Sequence, residues 1–245
     1  MKADPAAQRR LLDLADVDAE LVRLAHRRRN LPEHAELTAA EAAVRSAKDA
    51  LVEVETRAGD LDRDIRRLER DVEAVRARAD RDQKILAGSG VGAKQATDLQ
   101  HELDTLARRQ SVLEDEELEV MEQREALGMD VQHAQRTLDE AQAQQSAVTE
   151  RRDTALADID AGEAGRARDR EAVVADLPAD LLAEYDRRRS RSGTGAALLR
   201  ERRCGACRLE LDRTALGALR SAPADEVVHC EECGTVLVRT PQSGL

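Results

Sequence analysis

Four cysteines stand in two C-x-x-C pairs near the C-terminal end: Cys204 and Cys207 in CGAC, then Cys230 and Cys233 in CEECG. Each pair can bend around one ion, and four thiolates complete the tetrahedral shell that Zn²⁺ prefers. Full thiolate ligation leaves no open position for a catalytic water, so the spacing predicts one structural zinc. An iron–sulfur centre or a redox dithiol is the alternative chemistry. The twenty-two residues between the pairs slightly exceed the usual zinc template, and SAPADE (221–226) reads as the loop that absorbs the excess. Gly205 and Gly234 fall where tight knuckles call for a residue without Cβ. His229 reads as a neighbour of Cys230 and not a ligand, because four cysteines already fill the shell. AALLRER, VVHC and TVLVR read as short strands around the metal, and the small apolar content predicts that metal binding supplies much of the folding energy.

A second stretch with the look of chemistry is AGSGVGAK, 87–94. A phosphate-binding loop of the Walker A type needs Gly-Lys-Ser/Thr after its first glycine and four residues, fed by a buried strand. Here the lysine comes two residues after Gly92, Gln95 stands in place of the hydroxyl, and the flanks are helical. The glycines read as a turn, and no nucleotide is expected.

The third is basic. From Leu182 to Glu210 there are eight arginines against four acids, a local excess of +4 in a chain of net charge −11. Arg187, Arg188, Arg189, Arg191, Arg200, Arg202 and Arg203 are the candidate contacts to phosphate. The overall charge argues against coating nucleic acid, because such binding depends on neutralising phosphates. Tyr185 is the only aromatic residue and reads as packing its helix onto the ribbon, since one ring makes no stacking platform.

The elements that must position these groups are long helices. Tryptophan and phenylalanine are absent and charged residues make up 36% of the chain, a composition that suits extended amphipathic helix. Counting in sevens from Leu37 gives Val44, Leu51, Ala58, Ile65, Val72, Ala79 and Leu86. A column three residues on runs Ala40, Ala47, Val54, Leu61, Leu68 and Val75, then breaks at Asp82. These are the two core columns of a heptad repeat. Pro32 suits the first turn of this helix, and Leu14, Val17, Leu21, Leu24 and Leu31 predict a shorter helix upstream. Beyond the glycines the ladder resumes as Leu99, Leu106, Leu113, Val120, Leu127, Ala134, Ala141, Val148 and Ala155. Two long helices joined by about eight residues must fold back antiparallel, with facing core residues whose numbers add to 185.

That register places Arg66 opposite Glu119, Arg70 opposite Asp115 and Arg63 opposite Glu122, and interhelical ion pairs are expected there. It also sets polar Gln110, Glu117 and Arg124 opposite Val75, Leu68 and Leu61, so the distal seam is incompletely apolar. These six residues are the candidate docking site for a partner helix. His26, His34, His101 and His133 are isolated on charged helices. No Ser-His-Asp set or paired-carboxylate pocket is legible, and an enzyme is not expected.

The start, MKADPAAQRR, lacks the apolar core of a signal peptide, and no run approaches the roughly 18 apolar residues of a membrane span. A cytoplasmic protein that does not enter membranes is expected, in a compartment where paired cysteines more often bind metal than form disulfides.

Taken in order, the glycine tip with LQHELDTLARRQSVLEDEELEVME, the LPADLLAEYDRRR helix, and CGACRLEL with HCEECGTVLVR resemble the bacterial C4-type zinc ribbon proteins with an N-terminal coiled-coil hairpin. The resemblance covers nearly the whole chain. It implies a non-enzymatic adaptor, with nucleic-acid binding ascribed to the family and some members linked to a sigma factor, flagellar messenger RNA or secretion machinery. This chain carries Thr235, Val236 and Leu237 where family sequences often have an aromatic residue or an arginine–tyrosine pair.

The expected architecture is mainly α: a long antiparallel coiled-coil hairpin over 1–176 with its tip at 87–94, a connecting helix and linker over 177–195, and a small β zinc ribbon over 196–245. The expected function is a zinc-binding adaptor that holds protein partners in transcription or its regulation. Direct RNA or DNA binding through the ribbon and its arginines is the alternative.

Overall fold

A computed structural model describes all 245 residues. Helix α1 runs Pro5–Arg29, α2 Pro32–Leu86 and α3 Ala93–Ala175. The carboxylate of Asp4 accepts the Ala6 N–H and starts α1, and His26, Arg27, Arg28 and Arg29 crowd its last turn, where cations complement the exposed carbonyls. Pro32 opens α2 at the one place where a missing N–H costs nothing. Of the three tip glycines only Gly90 has positive φ, at 110°, so the turn depends on that one position. The chain divides into two compact units, Ala35–Glu150 and Met1–His34 with Arg151–Leu245. This grouping follows packing, whereas the 1–176, 177–195 and 196–245 partition follows chain order.

Within Ala35–Glu150 the antiparallel pair packs in the expected register. One core cluster joins Ala47 and Leu51 to Leu138, with Val44, Val54, Val131, Ala134 and Ala141 around it; a second joins Leu68 and Val72 to Leu113, with Val75 and Val120. Pairs such as Ala47 with Leu138 and Val72 with Leu113 have numbers adding to 185. The seven-residue repeat returns one face of each helix to its partner, which is why small and branched apolar side chains suffice without aromatics.

The expected ion pairs do not form. Arg63 bonds Asp60 on its own helix, and the interhelical pairs include Arg76–Glu114, Arg78–Glu102 at 2.6 Å and Arg124–Asp62 at 2.7 Å. The reason is geometric. Arg76 and Arg78 flank the core columns, as do Glu114 and Glu102, whereas Arg63 and Arg70 sit on the outer face of the supercoil, out of reach of the other helix. Cysteines placed at Ala47 and Leu138 are expected to crosslink within one chain, read as a faster-migrating monomer on a denaturing gel. Crosslinking only between chains would contradict the hairpin.

The second unit assembles around the ribbon. Helix α4, Ala179–Ser192, precedes strands β1 (Ala196–Arg200) and β2 (Arg203–Cys204), helix α5 (Arg213–Ser221), and strands β3 (Val228–His229) and β4 (Val236–Val238). The sheet order is β2-β1-β4-β3, with β1 parallel to β4 and the other pairs antiparallel. Leu11 and Leu14 of α1, Leu181 and Tyr185 of α4, and Ala196, Val227, Val236 and Val238 form one core, so α1 seals the ribbon sheet. The first residues add to this seal: Ala3 N–H donates to the Asp225 carbonyl and Val227 N–H to that of Met1.

Helix α5 occupies much of the interval between the cysteine pairs, whose excess length was expected to lie in the SAPADE loop. Its signal was present in Asp212, which caps it by accepting the Ala215 N–H at 2.7 Å, and in Leu211, Ala215 and Leu219, spaced by four and all buried. Arg239 then fixes the turn after α5, donating to the carbonyls of Leu219, Ala222, Pro223, Ala224 and Glu226 at 2.6–3.4 Å.

Candidate metal centre and arginine cluster

The two C-x-x-C pairs bend into near-identical knuckles. In the first, the Arg208 N–H donates to the Cys204 carbonyl at 2.8 Å and the Cys204 N–H to that of Leu209 at 3.0 Å; in the second, Gly234 N–H donates to Cys230 at 2.8 Å and Cys230 N–H to Thr235 at 2.9 Å. The residue after each second cysteine has positive φ, 64° at Arg208 and 73° at Gly234. Gly234 thus occupies the position that its lack of Cβ suits, while Arg208 accepts the same conformation in the first knuckle. Gly205 serves differently. Its backbone φ is ordinary, but a Cβ there would lie 2.7 Å from the Leu198 carbonyl, which its own N–H contacts at 2.9 Å.

All four sulfurs lie within 4.8 Å of one another. Cys204 and Cys233 are 3.8 Å apart and Cys207 and Cys230 are 3.9 Å apart. Tetrahedral bonds of about 2.3 Å from zinc to sulfur place sulfurs about 3.8 Å from each other, so the donor set and its spacing fit one structural Zn²⁺. Bound zinc would hold the ribbon's two halves together and offer no site to a substrate. In the thiol form, burial pushes Cys204 up to about 12. Burial also opposes ionisation of Cys233, yet hydrogen bonds from Thr235 and the neighbouring thiols bring it down to about 7. His229 is not a ligand: its Nε2 lies 3.0 Å from Glu184 Oε1, and burial, with Arg188 nearby, lowers its pKa despite Glu184.

Residues 14–193 match the CT398-like coiled coil hairpin domain and residues 203–237 the C4-type zinc ribbon domain. The chain belongs to the CT398-like hairpin family. It is 43% identical to the Mycobacterium tuberculosis H37Rv protein Rv2229c over 98% of each chain, and 33% identical to ML1638 of Mycobacterium leprae over 91% of this chain and 96% of that one. Among solved structures, one from Mycobacterium smegmatis superposes with a TM-score of 0.87 at 41% identity, covering 98% of this chain and all of that one. CT398 from Chlamydia trachomatis has a TM-score of 0.65 at 17% identity over 95% and 97% of the two chains, a likeness of fold.

The seven candidate arginines do not form one solvated cluster. Arg187 and Arg188 both bind Glu184, at 2.9 and 2.6 Å, and the Glu184 side chain is only 8% exposed. Burial opposes its charge, but Arg188, Arg187 and His229 more than offset this and hold its carboxyl below the usual range. Arg189 reaches Asp18 of α1 at 3.2 Å. Asp18 is buried, and it also accepts from the Tyr185 hydroxyl at 2.8 Å and from Arg170 Nε at 2.9 Å. Arg191, Arg200, Arg202 and Arg203 remain exposed. Arg203 lies 3.5 Å from Glu210, and Arg200 faces Arg203 across the β1–β2 pair.

Sequence reasoning passed over Asp18, Arg170 and Arg239. For Asp18 a signal existed: it continues the Leu11, Leu14 spacing of the apolar face of α1, where an acid must find partners. The docking candidates lie along the hairpin seam. Leu68 is 6% exposed, Leu61, Val75 and Glu117 are half-buried, Gln110 donates to Glu114 at 2.8 Å, and Arg124 turns out to Asp62. More exposed apolar side chains occur on both helices of this unit, among them Val52 and Ile85 of α2 and Leu118, Met121 and Met129 of α3. No helix is long and apolar enough to cross a membrane.

Proposed function

We propose that the protein is a non-enzymatic zinc-binding adaptor whose coiled-coil arm and ribbon hold protein partners in transcription or its regulation. The observation that carries this reading is the internal use of positive charge. Two of the seven arginines that a polyanion would need are held by buried carboxylates, Arg188 by Glu184 and Arg189 by Asp18. Releasing either would take a charge-assisted bond away from a buried acid, a cost that a phosphate contact would have to offset. The transcriptional setting rests on the family resemblance. Half-buried Leu61 and Val75, beside Gln110, Glu117 and Arg124, offer a protein surface with both apolar and charged contacts.

Direct binding of RNA or DNA is the second reading, favoured by the exposed Arg191, Arg200, Arg202 and Arg203. Salt separates the two. Each phosphate contact contributes about −0.9 to the log–log salt slope for duplex DNA, so four contacts lose about a hundredfold in affinity between 50 and 200 mM salt. The expected result is weak, sequence-indifferent nucleic-acid binding that vanishes at physiological salt, alongside capture of a protein by photo-crosslinkers at Leu61 or Glu117 that persists there. Sub-micromolar, sequence-selective binding of RNA or DNA by the purified chain at physiological salt would overturn the adaptor reading.

A further inference from the structure

We propose that the Thr235 hydroxyl, backed by Ser192, positions the Cys233 thiolate from outside the metal shell. Thr235 is fully buried in front of Val236 and Leu237. A hydroxyl there is costly unless it is hydrogen-bonded, and valine would fill the same space. Its Oγ1 lies 3.3 Å from Cys233 Sγ, 3.1 Å from the Thr194 carbonyl and 3.4 Å from Ser192 Oγ. Ser192 Oγ in turn lies 3.0 Å from both the Thr194 and the Arg188 carbonyls.

A zinc-bound thiolate can only accept, and at 3.3 Å the Thr235 hydroxyl is placed to donate to it; the Ser192 hydroxyl, 3.4 Å from Thr235 Oγ1, can donate to that oxygen in turn. The first knuckle has no equivalent: the residue matching Thr235 is Leu209, which is 51% exposed. Arg188 adds to the second knuckle alone, since its guanidinium lies against Gly234, where a Cβ would sit 3.4 Å from Nη1, and four thiolates on Zn²⁺ leave a net negative charge for it to face.

The test uses the full chain with zinc affinity measured by chelator competition, and Co²⁺ substitution to read the sulfur-to-metal charge-transfer band. Thr235→Val is expected to weaken zinc binding by about 10–100-fold, the range for lost outer-shell partners, and to move the Co²⁺ band to lower energy because the sulfur loses its donor. Thr235→Ser restores both. If Thr235→Val takes up no Co²⁺, Thr235→Ser and Thr235→Ala decide: a loaded serine variant with the wild-type band supports the hydroxyl, and a serine variant as impaired as the alanine one overturns it. Wild-type affinity and an unmoved band in Thr235→Val would also overturn it.

Discussion

Cys230→Ser will leave the chain unable to retain zinc, while the unmodified protein will carry one ion per chain, measured by elemental analysis after dialysis. The expected loss is nearly complete, because three remaining thiolates cannot close a structural tetrahedral site, and binding free energies of about 10–16 kcal/mol are typical for such sites in isolated zinc modules. The consequence for structure is local. Strands β1 to β4 are short, and one of their two cores is built from Cys204 and Cys230 together with Leu199, Leu211, Leu219 and Leu237, so without metal this core loses both its crosslink and part of its packing. Amide exchange over 196–238 should become fast. Ala35–Glu150, whose clusters contain no cysteine, should keep its protection and its helical circular dichroism. Chelation of the wild-type protein should reproduce this pattern and added zinc should reverse it. Full zinc content in Cys230→Ser would refute the four-cysteine site.

Asp18→Ala should be the most damaging single change outside the metal centre. Its carboxylate, with a side chain 4% exposed, is shared by Arg170, Arg189 and the Tyr185 hydroxyl. Removing it deprives Arg189 and the buried Tyr185 hydroxyl of this acceptor and leaves Arg170 with Asp186 at 3.2 Å, and breaking a buried charge pair from one side typically costs about 3–5 kcal/mol. Tyr185→Phe removes one donor and leaves both ion pairs, so about 1 kcal/mol is expected. Because the two compact units need not unfold together, the reading should come from denaturant-dependent amide exchange in α4. The two changes share a partner and should not add. A loss below about 1 kcal/mol for Asp18→Ala would show that the network is not holding α1, α3 and α4 together.

Local periodicity and spacing were enough for the hairpin and the metal. A heptad repeat on α2 and another on α3 state which residues face a partner, and a glycine turn too short for anything but reversal fixes the pairing, so Ala47 finds Leu138 without further information. Two C-x-x-C pairs carry their chemistry in four positions, because each knuckle closes on itself through bonds no more than five residues long. Ion pairs on the hairpin were less legible: opposite charge in the right register is not sufficient when Arg63 and Arg70 lie on the outer face. The fate of the arginines was decided only by the tertiary structure. Arg189 and Tyr185 meet an acid on α1, with a sequence separation of 167 between the hydroxyl and its acceptor, and Arg188 looks like a solvated charge until Glu184 of α4 is seen to be buried against His229. Helical periodicity reports which side of an element is apolar, but the partner that a buried charge will find depends on which distant element packs there.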